Sequence, residues 1–424
     1  MKRFLALLPL SALCLALLGG CSTPSVAEEL SAQPVKITAQ DLSQYDSDMP
    51  KAYAALSDFG LELLQNARQT GENTLISPLS VSMTLGMAAN GASGDTLAEF
   101  QQVLGDGLPL DSINAACSAL MADYTRSLGG STQCSMANSL WVDPEGQVRE
   151  DFIGKCTGLF DAQVFQGDLS APGIVKDLND WVAQHTNNMI PQIISKPFEE
   201  NTAALLVNAL YLKNTWDTEF DPQDTSPRDF THGDGSTERL HYLNHFSLSF
   251  PYLTNETCEG AIFPYDDGRL GFFALMPKLF PDAPDFDTWL AEELNGTELA
   301  QLILSGEEAT FLRLSLPKFE QEWSGELQDV LPDLGLECAF DPDLADFSLL
   351  GDHPYGYCLS QVIHAAKLEV NEKGTEAAAA TVAVAESGSA APPEDGITLV
   401  FDRPFLYGIV DLQTGIFLFL GTFE

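Results

Sequence analysis

Positively charged residues are scarce in this sequence of 424 residues, where Lys and Arg together number 20 against 61 Asp and Glu. The resulting formal charge is −41, and no stretch of the chain is rich in Lys or Arg. A protein that binds nucleic acid must neutralise phosphate groups with basic side chains. The composition therefore excludes nucleic acid as a partner and excludes electrostatic attraction to an anionic membrane. It indicates a soluble, self-repelling surface.

The sequence also lacks the short motifs that carry much hydrolytic and phosphate chemistry. It contains no Gly-x-Ser-x-Gly nucleophile turn, no His-Glu-x-x-His zinc motif and no glycine-rich phosphate loop followed by Lys. Asp and Glu are too abundant for one pair to be singled out as a glycosidase dyad. We therefore predict no catalytic residue, no metal site and no cofactor.

Cysteine pairs with Cys-x-x-Cys spacing are absent, which excludes zinc-ribbon and thioredoxin-type sites. Beyond Cys14 and Cys21, the chain has six cysteines, namely Cys117, Cys134, Cys156, Cys258, Cys338 and Cys358. An even number permits disulfides in an exported protein, but six cysteines allow fifteen connectivities and nothing selects one. Buried free thiols are an equally good interpretation.

The first residues have the layout of a secretory signal peptide, since Lys2 and Arg3 precede an apolar run over residues 4–18. The run ends in Leu18-Gly19-Gly20-Cys21, which resembles a bacterial lipobox. Such a peptide is cut before the cysteine, whose thiol carries diacylglycerol. The alternative is an ordinary secretory signal in which Cys21 occurs by chance. We expect an exported protein, either a cell-surface lipoprotein attached to the membrane by lipid at Cys21 or an extracellular protein.

The chain divides into a lipoprotein signal peptide (1–20), a tether (21–44) and one large domain (45–424). The tether is predicted to be flexible because it is rich in Ser, Ala, Gln and Glu with little apolar periodicity. Helical patterns dominate the first half of the domain and strand patterns the second, which predicts an α+β fold with a large sheet. Helices are expected over 51–68, 73–91, 152–160 and 174–190, and strands over 136–142, 203–212, 260–276 and 310–316.

One segment, residues 374–393, has an unusual composition of small residues and ends in two prolines. In an extended strand, Thr375 and every second residue to Ala385 would share one small, uncharged face. Glu376 and Glu386 would lie on the opposite face and point to water. On composition alone, a flexible Ala-rich linker or a short helix is the better interpretation.

The motifs that surround this segment resemble those of the serpin family, from about residue 50 to the C-terminus. They are Asn73-Thr74-Leu75-Ile76-Ser77-Pro78, Asn179-Asp180-Trp181-Val182, Val207-Asn208-Ala209-Leu210-Tyr211-Leu212-Lys213 with Trp216, Leu316-Pro317-Lys318-Phe319, His364-Ala365, Gly374-Thr375-Glu376 and Asp402-Arg403-Pro404-Phe405. Each motif is weak alone, and together they are specific. The resemblance implies structural roles for Ser77, Pro78, Asn208, His364 and Pro404.

The resemblance implies a serpin fold, in which a large central mixed sheet of five strands, additional sheets and surrounding helices carry an exposed reactive-centre loop over about 372–396. It further implies a monomer that is a protease inhibitor rather than an enzyme. A serine protease attacks the loop and forms a covalent acyl complex, and the freed loop then inserts into the central sheet. The implied hinge residues are Glu372, Gly374, Thr375, Ala377, Ala378, Ala379 and Ala380.

Family spacing places the reactive bond at Gly388–Ser389, and the length of the loop leaves Ser389–Ala390 or Glu386–Ser387 as alternatives. All these residues except Glu386 are small, so the preferred targets would be elastase-like or subtilisin-like serine proteases. Activity on cysteine proteases is a further expectation. The alternative function is that of a noninhibitory serpin, a surface-binding or chaperone-like protein. The small residue Thr375 favours inhibition, because a bulky or charged hinge would stall insertion.

Overall fold

The computed structural model describes residues 25–36, 38–126, 128–281, 283–375 and 396–424. Within these residues the α-helices are α1 (Ala39–Leu42), α2 (Met49–Ala67), α3 (Pro78–Ala89), α4 (Gly94–Gly105), α5 (Leu110–Arg126), α6 (Glu150–Phe160), α7 (Gly173–His185), α8 (Phe286–Glu292) and α9 (Gly296–Leu304). No helix of these ranges is both long enough and apolar enough to cross a bilayer.

The strands of the same ranges are β1 (Ala27–Leu30), β2 (Thr74–Ile76), β3 (Gln133–Val142), β4 (Gln147–Val148), β5 (Gln163–Gly167), β6 (Ala204–Thr215), β7 (Ser226–Thr231), β8 (Thr237–His245), β9 (Leu248–Thr254), β10 (Cys258–Pro264), β11 (Leu270–Pro277), β12 (Glu307–Pro317), β13 (Phe319–Glu326), β14 (Gly351–Asp352), β15 (Leu359–Val370), β16 (Gly374–Thr375), β17 (Ile397–Val400), β18 (Phe405–Asp411) and β19 (Phe417–Phe423). Helices concentrate in the first half and strands in the second, as the sequence predicted.

A seven-stranded mixed sheet forms the centre of the molecule, with the strand order β1-β5-β3-β6-β16-β15-β13. Two neighbouring pairs, β3 with β5 and β6 with β15, are parallel, and the other pairs are antiparallel. This sheet has two strands more than the five that the resemblance implied, and the short strands β1 and β16 account for the difference. We call it the central sheet.

A second sheet has ten strands and carries many of the buried aromatic side chains. Its order is β2-β19-β18-β11-β10-β9-β12-β8-β7, with β17 paired to β12, and a third sheet joins β14 to β4. Helix α3 lies between the sheets, and all twelve of its residues are buried. A helix that is apolar on every side must be surrounded by protein, as the sequence indicated. Pro78 occupies its first turn, where no backbone N–H is needed.

Three boundaries predicted from the sequence were wrong. The helix expected over 73–91 begins only at Pro78, since residues 74–76 form the strand β2. The strand expected over 260–276 is two strands, β10 and β11, because Asp267 closes a turn between them. Its carboxylate accepts the backbone N–H groups of Arg269 and Leu270 at 2.7 Å each. Helix α7 ends at His185 rather than near residue 190, and the chain then turns through Asn187 and Asn188 with positive φ angles.

The N-terminal segment corrects another prediction. Residues 25–36, which we call the N-terminal strap, were expected to belong to a flexible tether over 21–44. Instead β1 pairs antiparallel with β5 at the edge of the central sheet, and Val35 donates its N–H to the Gly154 carbonyl at 2.8 Å. Further along the same predicted tether, residues 39–42 form α1.

The six cysteines within the described residues are all unpaired, so free thiols rather than disulfides are present. Three of them, Cys117, Cys156 and Cys258, are buried. Burial raises the pKa of Cys117 to about 12, which keeps its thiol protonated and unreactive at neutral pH.

Candidate functional site

The predicted hinge lies at one end of the central sheet. Strand β15 runs up to Val370, the chain turns through residues 371–373, and Gly374 and Thr375 then form β16 between β6 and β15. In this position Gly374 pairs with Thr215 and Thr375 pairs with Asn214, both antiparallel. The first two residues of the segment that the sequence singled out are therefore already part of the sheet.

Only a small residue fits at each of these two positions. A Cβ atom on Gly374 would lie 2.0 Å from the Asn214 carbonyl oxygen, far inside the contact distance. Thr375 is fully buried, and its hydroxyl makes no hydrogen bond with the described residues. A charged side chain at Thr375 would have no water around it.

The turn before β16 is held by an ion pair and a hydrogen bond to Glu372. Lys318 Nζ lies 2.7 Å from one carboxylate oxygen of Glu372, and the Thr225 hydroxyl donates to the other at 3.0 Å. Burial raises the pKa of Glu372, but the hydrogen bonds from Lys318 and Thr225 outweigh it and hold the pKa below its usual value. Glu372 is therefore an anion that fixes the base of the hinge.

Trp216 and Phe220 hold the backbone of the same turn. The indole N–H of Trp216 donates to the Asn371 carbonyl at 2.8 Å, and its backbone N–H donates to Lys373 at 2.9 Å. The backbone N–H of Phe220 donates to the Glu372 carbonyl at 2.8 Å. The Trp216 ring also stacks on Tyr265, with centroids 4.8 Å apart. The turn can therefore act as a fixed pivot for the residues that follow.

Below the hinge, β6 and β15 pair directly with each other. Among the described residues this parallel ladder extends from Leu359 opposite Ala204 to Ala365 opposite Ala209. Further up, β16 lies between the two strands. We call the part in which β6 and β15 pair directly the lower half, and the part that contains β16 the upper half. The boundary between the two halves lies next to His364 and Asn208, which are partners in the ladder.

A buried polar network crosses this boundary and joins the two strands to α3. His364 Nε2 accepts the backbone N–H of Ser77 at 2.9 Å, so its Nδ1 carries the proton and faces Asn208 Oδ1 at 3.2 Å. Asn208 in turn donates to Asn138 Oδ1 at 2.7 Å and accepts from the Ser80 hydroxyl at 2.5 Å. We call these residues, together with Thr84, the shutter network.

Burial controls the charge of the shutter network. His364 is fully buried, and burial lowers its pKa to about 3, so the ring is neutral at physiological pH. Thr84 closes the network by donating its hydroxyl to Asn138 at 3.0 Å. A network in which every polar group has a partner stabilises one arrangement of the strands and α3.

The structure brings together most of the structural residues predicted from the sequence. Ser77, Asn208 and His364 meet in the shutter network, Pro78 begins α3 beside them, and Pro404 is buried separately just before β18. Glu372, Gly374 and Thr375 form the hinge. The other predictions lie outside the described residues, namely Ala377, Ala378, Ala379, Ala380, Glu386, Ser387, Gly388, Ser389, Ala390 and Cys21.

Sequence reasoning missed Asn138, Thr84 and Asp177 as site residues. Asn138 and Thr84 had a detectable signal, because each is a polar residue inside an apolar strand or helix. Such a residue in a buried element needs a partner. Asp177, which accepts hydrogen bonds from the N-terminal strap, lies on an amphipathic helix with other acidic residues and had no such signal.

Comparison with known proteins decides what this arrangement is. The family model described as serpin (serine protease inhibitor) matches residues 54–424. The chain belongs to the serpin family. This serpin is 31% identical to Serpin-Z2A of Triticum aestivum over 390 residues, which is 88% of this chain and 96% of that protein. It is 28% identical to leukocyte elastase inhibitor A of Mus musculus over 384 residues, covering 88% of this chain and 99% of the relative.

Solved structures agree with the sequence relatives. The native state of tengpin, a thermophilic serpin, superposes with a TM-score of 0.81 at 28% identity, covering 94% of this chain and 99% of that one. The latent state of tengpin gives a TM-score of 0.73 at 27% identity, with 92% and 99% coverage. The predicted α+β serpin fold is therefore confirmed, and the chain superposes better on the native state of tengpin than on its latent state.

Proposed function

We propose that this serpin is a suicide-substrate inhibitor of serine proteases that acts by inserting its reactive loop into the central sheet. One observation carries the proposal, namely that Gly374 and Thr375 already pair antiparallel with β6. Each further residue of the loop can pair with the next residue back along β6. Continued in this register, Ala385 would reach Ala204, and Gly388 would lie three residues beyond the start of β6.

The chemistry of trapping is supplied by the protease. Its catalytic serine oxygen attacks the carbonyl carbon of Gly388 and forms an ester, the peptide bond to Ser389 breaks, and the new amine takes the proton from the protease histidine. The loop is then free at one end. Insertion gains ladder hydrogen bonds and buries the small face that begins at Thr375. The protease remains esterified and is carried to the far end of the sheet.

The preferred targets are elastase-like or subtilisin-like proteases, with cysteine proteases as secondary targets. The support is the composition of the loop, in which the residues flanking each candidate bond are small except Glu386. Trypsin-type and chymotrypsin-type pockets require a cation or an aromatic ring. The elastase inhibitor named among the relatives fits the same class.

The decisive experiment mixes the full chain with pancreatic elastase and looks for a complex that survives SDS. We expect a covalent complex. Mass spectrometry should show that the peptide fragment released from this complex begins at Ser389. Rapid cleavage without a complex would instead favour the noninhibitory alternative. Fast inhibition of trypsin with cleavage after Lys or Arg would contradict the assigned bond.

We also propose that the protein is exported and attached to a membrane by diacylglycerol on the Cys21 sulfur, transferred from a phospholipid. The support is the lipobox-like sequence before Cys21. Labelled fatty acid should be incorporated by the parent chain and not by Cys21→Ala. Equal labelling of both proteins would refute the lipid anchor.

A further inference from the structure

The N-terminal strap fits tightly against the body of the protein. One carboxylate oxygen of Asp177, on α7, accepts the Val26 N–H at 2.8 Å, the Ser25 hydroxyl at 3.0 Å and the Ala27 N–H at 3.3 Å. On the neighbouring strand, Gln163 donates to the Glu29 carboxylate at 3.0 Å. The strap therefore contacts both the edge strand β5 and the helix α7 that lies across the sheet.

Four glycines of the body make room for the strap. A Cβ on Gly167 would lie 2.4 Å from the Val26 carbonyl oxygen, and one on Gly173 would lie 2.6 Å from the Val26 side chain. On α6, a Cβ on Gly158 would lie 1.9 Å from the Val35 carbonyl oxygen, and one on Gly154 would lie 2.5 Å from that of Gln33. The strap thus occupies a site whose shape depends on the absence of side chains.

The register of the central sheet shows at which end the strap begins. Glu28 is opposite Gln166, which is opposite Val142, which is opposite Ala204 at the start of β6. The hinge is level with Asn214, ten residues further along β6. At about 3.3 Å per residue, the hinge and the beginning of the strap are separated by about 33 Å along the strands. The strap therefore leaves the body at the end opposite the hinge.

This placement conflicts with the end point of loop insertion in a membrane-anchored protein. Gly388, with the protease attached, would lie three residues beyond Ala204, at the level of Ser25. Four strand spacings of about 4.8 Å separate the two positions across the sheet, or about 19 Å. Cys21 is four residues before Ser25, and that length of chain reaches at most about 14 Å. A protease domain of about 200 residues is about 40 Å across.

We propose that the N-terminal strap is releasable, and that it must leave β5 when the anchored serpin traps a protease. While docked, it holds the hinge end away from the lipid surface. Once it is detached as far as Gln33, the twelve residues from Cys21 reach about 40 Å, enough for a protease to fit between the body and the membrane. The inference rests on the proposed inhibition and the proposed lipid anchor.

A reversible lock on the strap tests this. Glu28 and Gln166 are opposite each other, so Glu28→Cys with Gln166→Cys can form a disulfide that fixes β1 to β5. The oxidised, lipid-modified chain on phosphatidylcholine vesicles is mixed with elastase, and the same lock is tested in a soluble chain carrying Cys21→Ala. We expect the anchored, oxidised protein to lose the SDS-stable complex, the soluble one to keep it, and reductant to restore it.

Hydrogen exchange gives a second measurement on the unlocked chain. After trapping on vesicles, the amides of Ala27 to Leu30 should lose protection, whereas in the soluble complex they should keep it. Efficient trapping by the locked, anchored protein would overturn the proposal, and so would equal loss of trapping in the locked, soluble protein. No complex from the soluble, unlocked chain would refute the proposed inhibition itself, and the strap proposal with it.

Discussion

The two halves of the contact between β6 and β15 differ in what holds them. The lower half is a direct parallel ladder crossed by the buried shutter network at Asn208 and His364. The upper half contains β16, and the turn around Glu372 holds the base of that strand. Insertion can therefore begin in the upper half before it disturbs the shutter network. To proceed, it must separate the ladder partners Asn208 and His364.

The largest expected effect comes from completing the insertion. Cleavage within residues 382–391 should raise the melting temperature on the order of 10 °C or more, because the inserted strand adds a ladder along all of β6. Calorimetry before and after a single cut measures this. A control cut in the exposed β7–β8 turn, at Gly233, should give no such rise. Equal melting temperatures after the loop cut would mean that the lower half does not open.

A charge at the entrance should stop insertion. Thr375→Arg would place an unpaired cation at a fully buried position, at a cost of several kcal/mol. We expect this variant to be cleaved by elastase as a substrate, while Thr375→Ser keeps the small side chain and still forms the SDS-stable complex. An Arg variant that traps protease at the parental stoichiometry would show that a charge at position 375 does not block insertion.

The shutter network should contribute the next largest effect. Asn208→Ala removes the amide that bonds to Ser80, Asn138 and His364, and leaves buried polar groups without partners. We expect about 3 kcal/mol of destabilisation. Melting temperatures compare this variant with Asn66→Ala, which loses only an exposed hydrogen bond to Glu62. If the two variants melt alike, the lower half is held by the ladder alone.

The shutter network should also make stability depend on pH. His364 has a folded pKa of about 3, below its ordinary value of 6.5, so the unfolded state binds the proton first. The contribution of neutral His364 to the free energy of unfolding is complete above about pH 6.5. It is lost as the pH falls toward 3, by about 1.4 kcal/mol per pH unit. The melting temperature of His364→Gln should therefore fall less steeply between pH 6.5 and 4.5. His245, with a pKa lowered to about 4, keeps part of the slope in both proteins. Parallel curves would contradict this role of His364.

The smallest effect is expected in the upper half. Lys318 is partly exposed, so its pair with Glu372 is screened by water, and Lys318→Met should cost less than about 1 kcal/mol. We expect a small fall in melting temperature together with faster spontaneous loss of inhibitory activity on incubation. Lys176→Met breaks a more exposed pair with Asp180 on α7 and should leave that rate unchanged. If both variants lose inhibitory activity at the same rate, the ion pair between Lys318 and Glu372 does not stabilise the hinge.

The residues of the upper half could be predicted from the sequence because the pattern that marks them lies within a few neighbouring residues. Alternation of small residues from Thr375 onward marks one face of an extended strand, and the structure buries Thr375. The surrounding motifs then located Ser77, Asn208 and His364, which do meet. Periodicity also gave most helices, because a buried stripe repeats within a few residues.

The docking of the N-terminal strap could not be predicted in this way. Its composition is that of a linker, and nothing local requires it to be a strand. It docks because Asp177 and the glycines of α6, more than a hundred residues away, provide hydrogen bonds and space. The turn at Asp267 was not predicted either. The apolar residues on both sides of it read as one continuous strand, and the turn between them is short.

The charged strands at the two edges of the central sheet affect how copies of the protein associate with one another. At one edge, Glu320, Glu322 and Glu326 share the exposed face of β13, and at the other, Glu28 and Glu29 of β1 are exposed. An open sheet edge invites pairing with another chain, and charged side chains on it oppose that pairing. Copies packed side by side would therefore meet carboxylate against carboxylate. The same sheet that must accept one strand in its middle is thus protected against aggregation from both sides.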